Sequence, residues 1–429
     1  METKQQNFET LCLHAGHVPD SDTGSRAVPI YRTAAYVFEN SDHAADLFSL
    51  KSPGNIYTRI MNPTTDVFEK RMAALEGGKA AVALASGTSA VFYAIINICK
   101  TGDHVVAAGN LYGGTYTMFN DILPQFGIQV TLVDPRDPSN FAGAITDRTR
   151  AIFAETIGNP TLECTDLGAV SEIARKHRLP FIVDATFTTP YLVRTIDHGA
   201  DIVVNSATKW IGGHGTGIGG VVVDAGTFDW TDPKFELYNT PDPSNFNLRF
   251  GHDLGDLKPV AFAVRMRLVP LRNLGACISP DNAWLFLQGL ETLSLRMERH
   301  SENALKVAKF LTDHDNVTWV RYPGLPDDPT YPVASRYMKK GFGAMVVFGI
   351  KGGRDAGRRF IDNLALFSLL ANVGDAKSLA LHPASTTHSQ LSEDQQVAAG
   401  LGPDMIRLSV GIEHIDDILA DISQSLGQI

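Results

Sequence analysis

Cysteine is scarce in this chain of 429 residues: Cys12, Cys99, Cys164 and Cys277 stand far apart and form no CxxC pair. That spacing argues against a disulfide framework or a zinc knuckle and fits a reducing compartment. No metal site is expected. Basic excess is also missing. Lys and Arg number 37 against 47 Asp and Glu, a net charge of −10, which argues against a general binder of nucleic acid or anionic membrane. No apolar run approaches the ~20 residues of a membrane span. The start, METKQQNFET, has no apolar signal core. These absences predict a cytoplasmic protein without nucleic-acid or membrane partners.

What is present is ordinary globular material, 44% hydrophobic and 20% charged. The length suits two or three domains, or one large α/β domain with a smaller one. The stretch DIVVNSATKWIGGHGTGIGG, residues 201–220, stands out. The run Ile202-Val203-Val204 reads as a buried strand that empties into a polar turn and then Lys209. A glycine-dense loop follows, and Val221-Val222-Val223 closes the unit. Buried lysine is costly unless paired or neutral. Schiff-base formation with a carbonyl cofactor such as pyridoxal phosphate is a chemistry that uses such a lysine. Gly215, Gly217 and Gly220 also match G-x-G-x-x-G, but that fingerprint must follow a strand and open a helix; here it precedes a strand.

Before this stretch, strand and helix signals alternate. Strands are expected at 80–85, 104–108, 129–133, 150–154 and 180–184, and helices after 65, 88 and 115 and within 161–179. Such alternation implies a mostly parallel sheet with helices on both faces, whose ligands sit at the carboxyl ends of the strands. Ser86, Gly87, Tyr112, Glu155, Asp184 and Lys209 all fall at or just after those ends. Ser86-Gly87-Thr88-Ser89 would cap a helix or cup an anion, with the same groups serving both. Asp184 would cap a turn or hold a pyridinium nitrogen protonated. Tyr112 would pack in the core or stack on a flat ring. Upstream, residues 1–60 read as an extended arm reaching a neighbouring subunit. In an extended segment its Tyr57 and Arg59 would point the same way, as a phosphate grip does. Residues 224–255 read as an excursion or lid near the site. Ser279-Pro280 opens a long helix. From there a second α+β domain is expected, in which Asn372, residues 382–388 and Arg407 stand out. Arg407 would clamp a carboxylate or form a structural ion pair.

The motifs LCLHAGH, IYTRIMNPT, ASGTSA, LYGGTY, ETIGNP, VDATF, SATKW and RLSVGIEH together resemble the cysteine/methionine-metabolism family of pyridoxal-phosphate enzymes. Three further stretches, HGTGIGG, LSLRMERHSENALKVAKF and LANVGDAKSLALHPASTTHSQLSEDQ, look most like its O-acetylhomoserine sulfhydrylases. The resemblance implies an α/β protein of fold type I: an arm at 1–60, a cofactor-binding α/β domain at 61–275 and a C-terminal α+β substrate domain at 276–429. It implies pyridoxal 5'-phosphate on Lys209, with Asp184 at the pyridinium and Tyr112 on the ring. Ser86, Gly87, Thr88, Ser206 and Thr208 would hold the phosphate, joined by Tyr57 and Arg59 of a neighbouring subunit. Arg407 and Asn372, with Tyr57, Glu155 and Asn159 of the matching motifs, would bind substrate. The implied reaction, part of methionine biosynthesis, replaces the γ-acyloxy group of an O-acylhomoserine by sulfide or a small thiol in a homotetramer. Cystathionine γ-synthase or γ-lyase activity is the alternative on the same scaffold. Gly217 stands where many sulfhydrylases carry a hydroxyl residue, and residues 241–255 also depart from their pattern. Both bear on substrate choice.

Overall fold

The apolar runs of the first half assemble into one seven-stranded sheet. The structure, a computed structural model, describes residues 6–49, 51–386 and 401–429. The first five residues of the polar start lie outside it, as do Thr387, His388 and the end of the third sulfhydrylase-like stretch. The strands are β1 (Ala80–Leu84), β2 (His104–Ala108), β3 (Gln129–Val133), β4 (Thr149–Glu155), β5 (Phe181–Asp184), β6 (Ile202–Asn205) and β7 (Gly220–Asp224). Their order is β1-β7-β6-β5-β4-β2-β3. Only β7 runs against its neighbours. The other six therefore point their carboxyl ends to one edge.

Every residue of β2, β6 and β7 is buried, as expected for strands covered on both faces. The helix Pro63–Glu76 packs on β1 and β7, and the helix Gly87–Ile96 on β6 and β7. The first of these has clear stops in the sequence. The Asn62 side chain accepts the Thr64 N–H at 3.0 Å, Pro63 takes the first position, and Gly77, at φ +80°, ends it.

The second half forms a five-stranded sheet from β8 (Val317–Arg321), β9 (Met345–Ile350), β10 (Ser368–Leu369), β11 (Leu379–Leu381) and β12 (Met405–Ser409), in the order β10-β11-β12-β9-β8. It is antiparallel except for β10 with β11. Val346, Phe348, Phe360, Ile406, Leu408, Ile418 and Ile422 give it a core of its own. The long helix expected after Pro280 breaks at Thr292 into Pro280–Glu291 and Leu293–Thr312. Among the described residues no helix is long and apolar enough to cross a membrane.

Three local readings change, and one stretch left unassigned proves helical. The arm begins with the helix Phe8–His14, which buries Phe8 and Cys12 on its own chain, against the helices Pro63–Glu76, Pro280–Glu291 and Leu293–Thr312. A second short helix, Ser41–Phe48, follows. The Tyr57 segment is a turn and not extended, because the N–H groups of Ile60 and Met61 both donate to the Tyr57 carbonyl. Residues 261–274 are helical, with a π turn at Arg267–Leu271; Pro259 and Pro270 disguise that pattern in the sequence. Finally, the 224–255 excursion is not near Lys209 of its own chain. Because β7 is antiparallel, the chain leaves it at Asp224, opposite Ile202, the first residue of β6. The excursion then packs at that far edge, where Arg265 donates to the Leu237 and Asn97 carbonyls.

Candidate active site

The polar residues gather where the six strands end. Register sets Glu155, the last residue of β4, opposite Asp184, the last of β5. Asp184 in turn lies opposite Val204 of β6. Immediately after β6 begins the turn Ser206-Ala207-Thr208-Lys209. Neighbouring strands stand ~4.8 Å apart, so one turn off β6 keeps Lys209 within side-chain reach of these acids' edge.

Lys209 is half-buried, and its Nζ donates to Asn372 Oδ1 at 2.5 Å. Burial, and secondarily the Arg407 guanidinium, lower its pKa to about 8. Asn372 arrives from the second sheet's side on a loop that only glycine permits. Gly374 sits at φ +80°, and a Cβ there would come within 2.7 Å of the Trp210 nitrogen and 2.9 Å of the Lys209 carbonyl carbon. The loop thus lies directly on the lysine's own backbone.

Beside the lysine is a cradle built from two more close approaches. A Cβ on Gly87 would lie 2.6 Å from Ser206 Cβ, and one on Gly220 would lie 2.2 Å from the Ser86 carbonyl oxygen. Helix start, Ser206 and the first residue of β7 are therefore packed together. Ser86 Oγ accepts the Ser89 N–H at 3.0 Å. The first N–H groups of a helix have no acceptor within it, so those of Gly87 and Thr88 remain for an anion. The hydroxyls of Thr88 and Ser206 have no hydrogen-bond partner among the described residues. Thr208 differs: its hydroxyl accepts the Gly219 N–H at 3.1 Å and faces the Gly219 carbonyl at 3.2 Å, closing the glycine loop on itself.

Asp184 Oδ1 accepts the Thr186 N–H at 2.9 Å, and burial raises its pKa. The buried Glu155 accepts the Tyr112 N–H at 2.7 Å; burial, with the Asp184 carboxylate beside it, holds it well above the usual carboxylate range. Tyr112 keeps a half-exposed ring, 52% accessible, so a flat group can meet it. From β12, Arg407 donates to Asn159 Oδ1 at 3.1 Å. Its burial lowers its pKa to about 10, opposed by Tyr112. One site on the seam between the two sheets thus brings together Ser86, Gly87, Thr88, Tyr112, Glu155, Asn159, Asp184, Ser206, Thr208, Lys209, Asn372 and Arg407.

Tyr57 and Arg59 are not part of it within one chain. Both are exposed, with the Arg59 guanidinium 5.2 Å over the Tyr57 ring, and among the described residues no hydrogen bond or ion pair ties them to the group. The sequence reading also passed over Thr186, whose hydroxyl accepts the Ser206 N–H at 2.8 Å and whose own N–H holds Asp184. The VDATF motif contained it without marking it. Gly374 and Arg296 were missed because a close approach and a long-range contact have no sequence periodicity. An open cleft of about 510 Å³, lined by Thr227, Phe228, Asp229, Trp230 and Lys258 among others, lies at the opposite edge of the sheet. No cluster of three or more metal-ligating side chains occurs among the described residues.

Pyridoxal phosphate fits these residues. A half-buried amine of lowered pKa, unpartnered hydroxyls at a helix start, an exposed ring face and a buried carboxylate are the four things it needs.

Comparison with known proteins agrees. The family model for Cys/Met metabolism PLP-dependent enzymes matches residues 9–427. An O-acetyl-L-homoserine sulfhydrylase of Leptospira meyeri is 54% identical over 436 aligned positions, covering 100% of this chain and 99% of that protein. A homocysteine synthase of Schizosaccharomyces pombe is 51% identical, covering 99% of each chain. The crystal structure of a candidate O-acetylhomoserine (thiol)-lyase from Campylobacter jejuni, which carries N'-pyridoxyl-lysine-5'-monophosphate, superposes with a TM-score of 0.94 at 41% identity. It covers 98% of this chain and 100% of its own, so the two share the expected fold type I. The chain belongs to the family of pyridoxal-phosphate-dependent enzymes of cysteine and methionine metabolism.

Proposed function

We propose that the protein converts O-acetylhomoserine and hydrogen sulfide into homocysteine and acetic acid, with a small thiol able to replace sulfide and give methionine or an analogue. The observation that carries this reading is the placement of Lys209 between a buried carboxylate edge and Arg407, in a chain whose relatives at 49–54% identity include O-acetyl-L-homoserine sulfhydrylases.

Bound at Lys209, pyridoxal phosphate supplies an electron sink that acidifies the substrate's Cα and Cβ protons. The protein's own groups do the rest. Arg407, held by Asn159, receives the substrate carboxylate, and Asn372 turns from the lysine toward the same group. A bidentate guanidinium fixes the plane of the carboxylate and so presents Cα to the lysine side. Lys209 would remove protons from Cα and Cβ and later return them; an amine with pKa about 8 is matched to that work near neutral pH. Asp184 holds a proton on the pyridine nitrogen. Glu155 anchors the Tyr112 backbone, which sets the ring against the cofactor. Ser86, Gly87, Thr88, Ser206 and Thr208 hold the phosphate end, Thr208 through the geometry of its glycine loop. Tyr57 and Arg59 complete that end from a neighbouring subunit of a cytoplasmic homotetramer, in which 1–60 serve as the arm, 61–275 bind cofactor and 276–429 bind substrate.

Steady-state assays decide between acyl donors and between reaction types. Expected is homocysteine formation that requires both O-acetylhomoserine and sulfide, with little turnover of cystathionine alone. Faster cleavage of cystathionine than sulfide-dependent homocysteine formation would replace this reading with a γ-lyase. Faster reaction with cysteine as sulfur donor would replace it with a cystathionine γ-synthase.

A further inference from the structure

The helix Leu293–Thr312 carries the sulfhydrylase-like stretch LSLRMERHSENALKVAKF, to which the reaction assigns no role. Arg296, His300 and Asn303 lie four and three residues apart, which puts them on one face. All three are buried: Arg296 is 4% exposed, His300 0% and Asn303 2%. Each reaches at least one backbone carbonyl in one of the two segments that carry the site.

Arg296 donates through Nη1 to the Trp210 carbonyl at 2.7 Å and through Nη2 to the Ile211 carbonyl at 3.3 Å. These are the carbonyls of the first two residues after Lys209. The same guanidinium reaches the Gly289 carbonyl at 2.6 Å and the Thr292 hydroxyl at 3.1 Å, pinning the helix break. Gly213, at φ +72°, has no Cβ, which would otherwise lie 2.1 Å from Nη1. His300 Nδ1 meets the Val410 carbonyl at 2.7 Å, and burial lowers its pKa to about 4, so it is neutral with Nδ1–H donating. Asn303 Nδ2 donates to the carbonyls of Gly411 and Glu413, both at 3.0 Å. Residues 410–413 directly continue β12, the strand of Arg407. A second tie runs between the segments themselves: the Ala376 N–H donates to the Gly213 carbonyl and the Ile412 N–H to the Ala376 carbonyl, each at 2.8 Å.

We infer that Arg296, His300 and Asn303 form a positioning rail, one end holding the Lys209 turn and the other holding the strand of Arg407, so that amine and guanidinium stand at a fixed separation. None of the three touches the reacting atoms. The inference rests on the assignment of Lys209 and Arg407 proposed above, and it divides the rail into two ends with different signatures. Loosening Arg296 lets water reach the Lys209 turn and acts on proton transfer. Loosening Asn303 shifts Arg407 and acts on carboxylate binding.

The test uses Arg296→Met, Arg296→Lys and Asn303→Ala in the full-length protein. In the cofactor-free form, the pH dependence of acylation of Lys209 is followed by peptide mass spectrometry. In the holoenzyme, kcat and KM for the amino-acid substrate are measured. Expected for R296M is an upward shift of the Lys209 midpoint by about one pH unit and a fall in kcat of about tenfold or more. R296K, whose compact ammonium has three donors for the four acceptors that the guanidinium holds, should give a smaller shift in the same direction. Expected for N303A is an unchanged Lys209 midpoint, with KM raised about tenfold and kcat within about twofold. A wild-type midpoint in R296K, or indistinguishable kcat and KM changes at the two ends, overturns the rail. The acylation readout needs no substrate, so a different sulfur or acyl donor would refute the proposed reaction without touching this result.

Discussion

Lys209 is the residue on which charge and burial act most directly. Two neighbours with opposite effects surround its amine: Asn372 accepts from it, while Arg407 repels its charged form. Removing a positive neighbour favours the protonated amine. Arg407→Met should therefore move the Lys209 acylation midpoint in the cofactor-free protein upward from about 8, and a downward shift would refute the electrostatic account. The lowered pKa also has a stability consequence. Between about 8 and the ordinary 10.5 the unfolded chain holds a proton that the folded chain has released. Stability contributed by this group thus rises with pH across that window, and below it the buried charge is a burden. At pH 7, Lys209→Met should stabilise the apoenzyme by on the order of 1–2 kcal/mol, the partial exposure of the site reducing the effect. The gain should shrink when the thermal midpoints are compared again at pH 9.5. At this scale the sequence was informative wherever a polar residue ended an apolar run, as at Asp184, Glu155 and Lys209. It was silent where contact is long-range: nothing in the local pattern around Arg296 announces that it holds the peptide groups after Lys209.

Elements show the same division. The alternation of apolar runs with Gly- and Ser-rich turns predicts the order and type of β1 to β7, because buried strands must be apolar and turns must be permissive. Residues 261–274 received no assignment, because Pro259 and Pro270 interrupt the helical pattern there; a π turn absorbs Pro270 inside the helical run. The direction of β7 was equally invisible. Reversal of that one strand sends the chain to the far edge at Asp224, which is why the 224–255 excursion does not cover its own chain's site. The loop 372–375 is the element whose geometry matters most to function. A methyl group on Gly374 meets the Trp210 nitrogen at 2.7 Å and also faces the left-handed region at φ +80°. Gly374→Ala should lower kcat by about tenfold or more through displacement of Asn372, at a stability cost of roughly 1–2 kcal/mol. Near-wild-type kcat in the alanine variant would show that the loop tolerates a wider path. Gly217 is the contrast. A Cβ there would lie 3.5 Å from Asn282 and Phe286, ordinary contact, so the position itself does not require glycine.

At the level of the whole molecule, the site is a seam. One sheet supplies Lys209, Asp184, Glu155 and the cradle at Ser86, while the second supplies Arg407 and the loop of Asn372. The N-terminal segment, residues 6–60, supplies none of these groups. Its first helix docks on its own chain, yet Val18 and Val37 are 78% and 98% exposed, and Tyr57 and Arg59 find no place in their own chain's site. A neighbouring subunit that received this surface would account for both facts. If sites are shared in this way, mixtures of Lys209→Ala and Arg59→Ala, each weak alone, should regain roughly a quarter of wild-type activity after subunit exchange, because about half of all dimers are then mixed and each mixed dimer holds one intact site of two. No gain on mixing would place Tyr57 and Arg59 outside the site altogether. In the sequence this segment shows only a lack of sustained periodicity, which did not reveal its two short helices.

The account stands on one covalent attachment. Borohydride reduction of the purified holoenzyme, followed by peptide mapping, tests it most directly. It predicts a single pyridoxyl-phosphate adduct, on Lys209, with no adduct and no visible absorption band in Lys209→Ala. An adduct on another lysine, or a yellow and active Lys209→Ala enzyme, would contradict it.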